Sequence, residues 1–329
     1  MSALAPTLEA FFTQRLAAQR NASPHTVASY RDAFRLLLRY LAETTGTAPS
    51  KLDFADVDAD AIGAFLDRLE ADRGAAISTR NARLAAVHSL FRFAALRHPE
   101  HAALIARVLD IPTKRTSRAT VTYLTRPEID ALLAAPDPTT RIGRRDHALL
   151  LVAVQTGLRV SELTGLRRSD ITFGTGAHLA CTGKGRKQRA TPLLAGTAST
   201  LRAWLDEYAG DPGDPIFPGP RGGPLTRDAV TAIVARHANT AADVCPSIAA
   251  KRVTAHVLRH SCAMELFHAG VDITTIALWL GHEGLRTTSV YITADLAVKE
   301  GAIARISPPG SAPGRYRPPD NLLAFLQAL

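Results

Sequence analysis

Thr156-Gly157-Leu158-Arg159-Val160-Ser161-Glu162-Leu163 places a helix stop, a cation and a carboxylate within eight residues. The apolar run from Ala148 to Val154 before it is a buried-helix candidate; Gly157 breaks that helix and Arg159 opens the next. Glu162 lies three residues beyond Arg159, so the two are neighbours on one helix face. A carboxylate there can orient a guanidinium for bidentate binding of a phosphate. Taken alone, the pair is equally a surface ion pair, a common feature that contributes little.

Downstream the pattern changes period. Residues 170–173, 178–182 and 189–193 read as three short strands separated by glycine-containing turns. Gly183-Lys184-Gly185-Arg186-Lys187-Gln188-Arg189 falls between the second and third, so Lys184 sits on a turn able to reach into a groove, with Arg186 and Lys187 beside it. A Walker A loop needs GxxxxGK[ST] between a strand and a helix, and neither spacing nor context is present. In isolation a basic hairpin tip is the commoner meaning of such a run. Helices resume over 198–208, 226–237, 255–269, 272–280 and around 286–291, with a Pro/Gly-rich loop over 210–224 and with Gly270 and Gly281 at C-cap positions. Upstream, one helix follows Thr125 and another spans 145–155.

Two further pieces lie among those helices. In His256-Val257-Leu258-Arg259-His260 the two histidines and Arg259 fall at i, i+3 and i+4 on one face. Zinc binding by HExxH needs Glu straight after the first His; position 257 is Val, and an Arg between the two would repel a dication. No metal site is expected, and His260 reads as a structural hydrogen-bonding histidine. Leu280-Gly281-His282 is followed nine residues later by Tyr291; separately these are a capping-region histidine and a half-buried tyrosine.

Residues 1–111 read as all-helical. Leu8, Phe11, Phe12 and Leu16 recur at helical spacing, Ser23 before Pro24 is an N-cap, and helices are expected near 59–71 and from Ser78 or Thr79 onward. Arg80 and Arg83 stand in the first turn of the last of these, where they either contact phosphates or form a solvated face. Residues 112–122 break the pattern: Pro112 stops a helix, and Lys114, Arg115 and Arg118 make a basic linker suited to lie along a DNA backbone. Residues 307–319 have a Pro/Gly-rich, tether-like composition, and 320–329 read as a short amphipathic helix too short to be stable undocked.

With 329 residues the chain is long enough for two domains, and a hydrophobic fraction of 46% is enough to build their cores, which argues against a disordered chain. A net charge of +9 suits a polyanion, nucleic acid above all. The three cysteines form no CxxC pair, so neither a disulfide framework nor a thiolate zinc site is indicated, and a reducing intracellular compartment is expected. The first residues lack a basic segment followed by an apolar core, and no apolar run approaches the roughly 20 residues that span a bilayer. No membrane association is expected.

Arg159, Lys184, His256, Arg259, His282 and Tyr291 together resemble, in order and local context, the catalytic set of the tyrosine recombinase, or phage integrase, family. TGLRVSEL, GKGRKQR, HVLRH and LGH followed by Tyr291 look like its motifs. The fold this implies is mainly α with a small antiparallel β-sheet: a helical SAM-like core-binding domain over 1–111, a basic linker over 112–122, a tyrosine-recombinase catalytic domain over 123–306, and a tether with a docking helix over 307–329. The implied activity is cutting and rejoining of DNA through a 3′-phosphotyrosine and a free 5′ hydroxyl. Tyr291 would be the nucleophile. Lys184 would protonate the leaving 5′ oxygen, and His256 would assist proton transfer at the tyrosine. Arg159, Arg259 and His282 would bind the phosphate, supported by Glu162 and His260. A phenol with a pKa of about 10 is almost wholly protonated at neutral pH, so cations nearby are needed to favour the phenolate. The resemblance implies no metal, cofactor or ATP. It implies double-stranded DNA as partner and a homotetramer on two DNA sites, with related recombinases as further members, in the cytoplasm at the nucleoid. Two rivals remain at this stage: a type IB topoisomerase, and a DNA-binding accessory protein that has lost catalysis.

Overall fold

The computed structural model describes residues 3–116, 121–183, 188–207, 210–282 and 288. It divides into two compact units, Met1–Ala119 and Thr120–Leu329.

The first unit is helical. Helix α1 (Leu4–Ala10) continues as π-type turns over Phe11–Gln19, followed by α2 (Pro24–Thr45), α3 (Ala59–Arg73), α4 (Ile77–Ala94) and α5 (Ala102–Leu109). The wider π turn aligns residues five apart, so Phe11 and Leu16 are buried while Leu8 and Phe12 are only partly so. Ser23 caps α2 as expected, its hydroxyl accepting the Thr26 N–H at 3.2 Å. Phe11, Phe34, Phe54 and Phe91 centre the core, with Phe11–Phe34 and Phe54–Phe91 packed edge to face. Helix α5 has eight residues of which only Ile105 and Val108 are buried, too short a pattern to stand out in the sequence.

Arg80 departs from expectation. Its side chain is 6% exposed, 3.4 Å from Glu70, and it donates to the Pro112 carbonyl at 3.3 Å. A guanidinium so enclosed fastens the end of the unit rather than presenting itself to a phosphate. Lys114 is also engaged. Its ammonium lies 2.7 Å from Glu70, and Asn81 holds its backbone at both N–H and carbonyl. Arg83 is half-buried and donates to the Ser29 carbonyl at 3.0 Å, and Arg115 is exposed. Arg118 lies outside the described residues.

The second unit wraps helices around one large core. These are α6 (Arg126–Ala134), α7 (Arg141–Thr156), α8 (Val160–Gly165), α9 (Ala195–Asp206), α10 (Arg227–Val244), α11 (Ala255–His268) and α12 (Ile273–Leu280). An antiparallel sheet in the order β1 (Ile171–Thr172), β2 (His178–Thr182), β3 (Gln188–Pro192) completes it, with Cys181 opposite Arg189. Two buried carboxylates lock the helices together. Asp146 accepts from Arg145, from Arg236 and from the His237 ring at 3.0 Å, tying α7 to α10. Glu128 accepts from Lys251 at 2.6 Å and from Ser247; these bonds outweigh its burial and hold its pKa at about 2. A smaller cluster of Cys262, Met264, Ile276 and Leu280 fixes α12 on α11. Among the described residues no helix is long and apolar enough to cross a membrane.

Candidate active site

The site is assembled at helix ends. Gly157 terminates α7 in the left-handed conformation, φ +62°, and Arg159 follows as the N-cap of α8. Glu162 reaches back to that cap: its Oε2 accepts the Arg159 backbone N–H at 2.8 Å and its Oε1 accepts from the Arg159 guanidinium at 3.0 Å. The other end of the guanidinium donates to the Gly281 carbonyl at 3.1 Å. Arg259, on α11, is 2% exposed and donates to the carbonyls of Gly157 at 2.6 Å and Leu280 at 2.7 Å. Both guanidiniums are thus held by the backbone at the α7 and α12 termini, where uncapped carbonyls are available.

Three imidazoles surround them. His256 and His260 stack edge to face, ring centres 4.2 Å apart. His282 follows the Gly281 cap of α12, and its Nδ1 lies 2.7 Å from the Thr288 hydroxyl. Burial, then repulsion from Arg259 and Arg159, pushes His282 down to about 4. Burial, then His256 and Arg259, brings His260 to about 4, and the same kinds of cause lower His256. All three rings are therefore neutral near pH 7. The described site holds three guanidiniums (Arg159, Arg189 and Arg259) and one carboxylate (Glu162), so positive charge is in excess. Such a site attracts an anion and offers it oriented donors.

The structure brings together Arg159, Glu162, His256, Arg259, His260 and His282 from segments as far as 122 residues apart. Lys184, Arg186, Lys187 and Tyr291 lie outside the described residues, as do the tether and docking helix. Sequence reasoning missed two members. Arg189 binds Glu162 through both nitrogens, at 3.0 and 2.8 Å. Its signal was strand alternation: it shares the inward face of β3 with buried Thr191, and an inward arginine needs a carboxylate. Thr288, fully buried on His282, left no comparable sign. Among the described residues no group of three or more His, Cys, Asp or Glu is placed to hold a metal ion.

The depressed histidines make stability depend on pH. Between about pH 6.5 and 4 the unfolded chain binds protons at His260 and His282 that the folded chain refuses, so stability is lost as pH falls through that window. Each ring contributes about 1–2 kcal/mol after allowance for partial exposure. Urea midpoints measured across this range should fall less steeply in His282→Gln than in the unmodified chain; equal slopes would contradict the assignment.

Comparison with known proteins defines the class. The Phage integrase family profile matches residues 122–297, and that of the phage integrase N-terminal SAM-like domain matches residues 10–98. The chain is 55% identical over 329 residues to putative integrase/recombinase y4rC of Sinorhizobium fredii, covering 100% of this chain and 99% of that one. It is 35% identical over 283 residues to tyrosine recombinase XerC of Rhodospirillum centenum, covering 84% and 80%. In fold it is similar to the XerH site-specific recombinase in a post-cleavage complex with palindromic difH substrate, with TM-score 0.70, 24% identity and coverage of 87% and 81%. The Tn1549 transposon integrase with circular intermediate DNA gives TM-score 0.69 at 16% identity, covering 91% and 98%. The chain belongs to the tyrosine recombinase, or phage integrase, family, and is a DNA strand transferase.

Proposed function

We propose that this enzyme cuts and rejoins double-stranded DNA at specific sites through a covalent bond between Tyr291 and a 3′ phosphate. The observation that carries the reading is the convergence of Arg159, Arg259, His256 and His282 on one cationic place built from helix termini. A phosphodiester gathers further negative charge as a fifth ligand approaches phosphorus, and guanidiniums fixed beforehand stabilise that state without reorganising. His282 Nδ1 lies 2.7 Å from the Thr288 hydroxyl; in the tautomer where that hydroxyl is the donor, the ring hydrogen sits on Nε2 and can be given to a non-bridging oxygen.

In the forward step the Tyr291 oxygen bonds to phosphorus while the phenol proton passes to His256, whose lowered pKa keeps it neutral and able to accept. The bond from phosphorus to the 5′ oxygen breaks, and Lys184 protonates that oxygen. The reverse step, with a 5′ hydroxyl from another strand, releases Tyr291. The phosphotyrosine conserves the bond energy, so no ATP would be consumed, and the fixed guanidiniums would supply the charge stabilisation that a metal supplies elsewhere. Residues 1–111 and 123–306 would clamp the duplex, with Arg83, Arg115, Arg118, Arg186 and Lys187 on phosphates. Residues 307–329 would dock onto a neighbour in a tetramer on two sites.

Nicked duplexes tiled from the DNA bordering the gene test this. An adduct that survives SDS, maps to Tyr291, carries a 3′ linkage and forms equally in EDTA is expected. Relaxation of plasmids lacking any such site would instead indicate a topoisomerase, and no adduct on any duplex would leave a DNA-binding protein without catalysis.

A further inference from the structure

We propose that Arg189 is a positioning residue of the active site: it takes up the charge of Glu162, so that Arg159 keeps its own positive charge for the DNA phosphate. This rests on the recombinase reading of the site.

The geometry is asymmetric. Arg189 meets Glu162 fork to fork, Nη1 on Oε1 at 3.0 Å and Nη2 on Oε2 at 2.8 Å. Arg159 offers the same carboxylate one guanidinium nitrogen, at 3.0 Å, and spends another on the Gly281 carbonyl. The Arg189 side chain is 13% exposed and that of Arg159 31%, so the first faces inward and the second outward. Glu162 itself is 3% exposed. An Arg159–Glu162 pair alone would be neutral and a poor anion site. Adding Arg189 returns one positive charge to the group, and the parallel geometry assigns the carboxylate to Arg189. Glu162 can then orient Arg159 through its backbone N–H and one side-chain bond without cancelling it.

Arg189 also joins the elements that carry the other groups. It is the second residue of β3, which begins directly after residues 184–187, the stretch that contains Lys184, and it pairs across the sheet with Cys181. A Cβ at Gly281 would stand 2.7 Å from Arg189 Nη1, so this side chain packs on the turn that delivers His282. One guanidinium thereby touches α8 and the end of α12 from the strand that leads out of the lysine turn.

The test compares Arg189→Met, Arg189→Lys and the double variant Arg189→Met with Glu162→Gln, each as the full chain. Two readouts are needed: the rate of covalent adduct formation on a nicked duplex, and the rise in melting temperature on adding inorganic phosphate. Arg189→Met leaves Glu162 to neutralise Arg159, so adduct formation should fall about 100-fold and the phosphate-dependent rise should vanish. Arg189→Lys, which keeps the charge but not the fork, should lie between. Removing the stranded carboxylate in the double variant should recover about 10-fold of the lost rate and restore the phosphate response. A purely structural arginine would let the double variant recover folding stability but not the phosphate response or the rate. A folded double variant no better than Arg189→Met therefore overturns the proposal, as does an Arg189→Met that reacts like the unmodified chain. Should Arg189→Met fail to fold, Arg189→Lys is compared with and without Glu162→Gln, and the absence of rescue counts in the same way. If phosphate stabilisation follows the expected pattern but no protein forms an adduct, the charge role of Arg189 stands and the recombinase reading falls.

Discussion

Tyr291→Phe should bind DNA with an affinity within about threefold of the unmodified chain and form no covalent adduct, a loss of at least ~1,000-fold. The substitution removes one oxygen and keeps the ring, so the phosphate contacts, which dominate affinity, are untouched. The case for Tyr291 combines sequence and site. It lies nine residues after His282 and three after Thr288. The buried Thr288 hydroxyl is 2.7 Å from the His282 ring, which holds the chain at the site shortly before the tyrosine. Three residues span at most about 11 Å, which limits how far the Tyr291 backbone can lie from Thr288. Gel shift and SDS gels on the same nicked duplex separate the two effects. An SDS-resistant band from the Phe variant would move the nucleophile elsewhere, and Tyr316 would be the first residue to examine.

Sequence periodicity located most helices because the physical cause is local. Ser23–Pro24, Thr125–Pro127 and Asp272 are start signals whose capping partners lie within three residues, and the structure places helix starts at each. Gly157 and Gly281 were legible for the same reason: a left-handed φ at a helix end favours glycine. Arg80 was misread because its fate depends on Glu70 and Pro112, ten and thirty-two residues away, and nothing in its own turn reveals that it is covered. The π turns over Phe11–Gln19 were misread because their register is set by burial of Phe11 and Leu16, which tertiary packing decides. Of the residues the family resemblance named, Arg159, His256, Arg259 and His282 are those the structure draws together, and the Arg159–Glu162 contact was legible through spacing alone. Their spending on backbone carbonyls was not. That Arg259 grips Gly157 and Leu280, and that Glu162 is shared with Arg189, depends on contacts 21 to 102 residues apart.

Those backbone anchors make Gly157 the position where fold and chemistry are least separable, and Gly157→Ala should damage both. Its φ of +62° alone costs an alanine about 1 kcal/mol. An added Cβ would also stand 2.6 Å from Leu280 Cδ2 and 3.1 Å from Cys262 Sγ. Leu280 is fully buried in the cluster that fixes α12 on α11, so it has no solvent to retreat into, and overpacking of this kind costs a further ~1–3 kcal/mol. Gly270→Ala supplies the control within the same unit. Its φ is +82°, yet nothing lies within 4 Å of its added Cβ, so it should show the conformational cost alone. The functional consequence comes from the acceptors. Arg259 is held between the carbonyls of Gly157 and Leu280, the two residues the new methyl forces apart. Shifting either tilts the guanidinium proposed to bind the phosphate, whose placement the reaction would sense at a small fraction of an ångström. Adduct formation should therefore drop about 10- to 100-fold at a temperature where the variant remains folded. Urea unfolding and single-turnover cleavage on Gly157→Ala and Gly270→Ala, side by side, decide the matter. Equal stability losses would show that Leu280 yields without cost, and unimpaired cleavage in Gly157→Ala would show that Arg259 does not depend on the carbonyls that hold it.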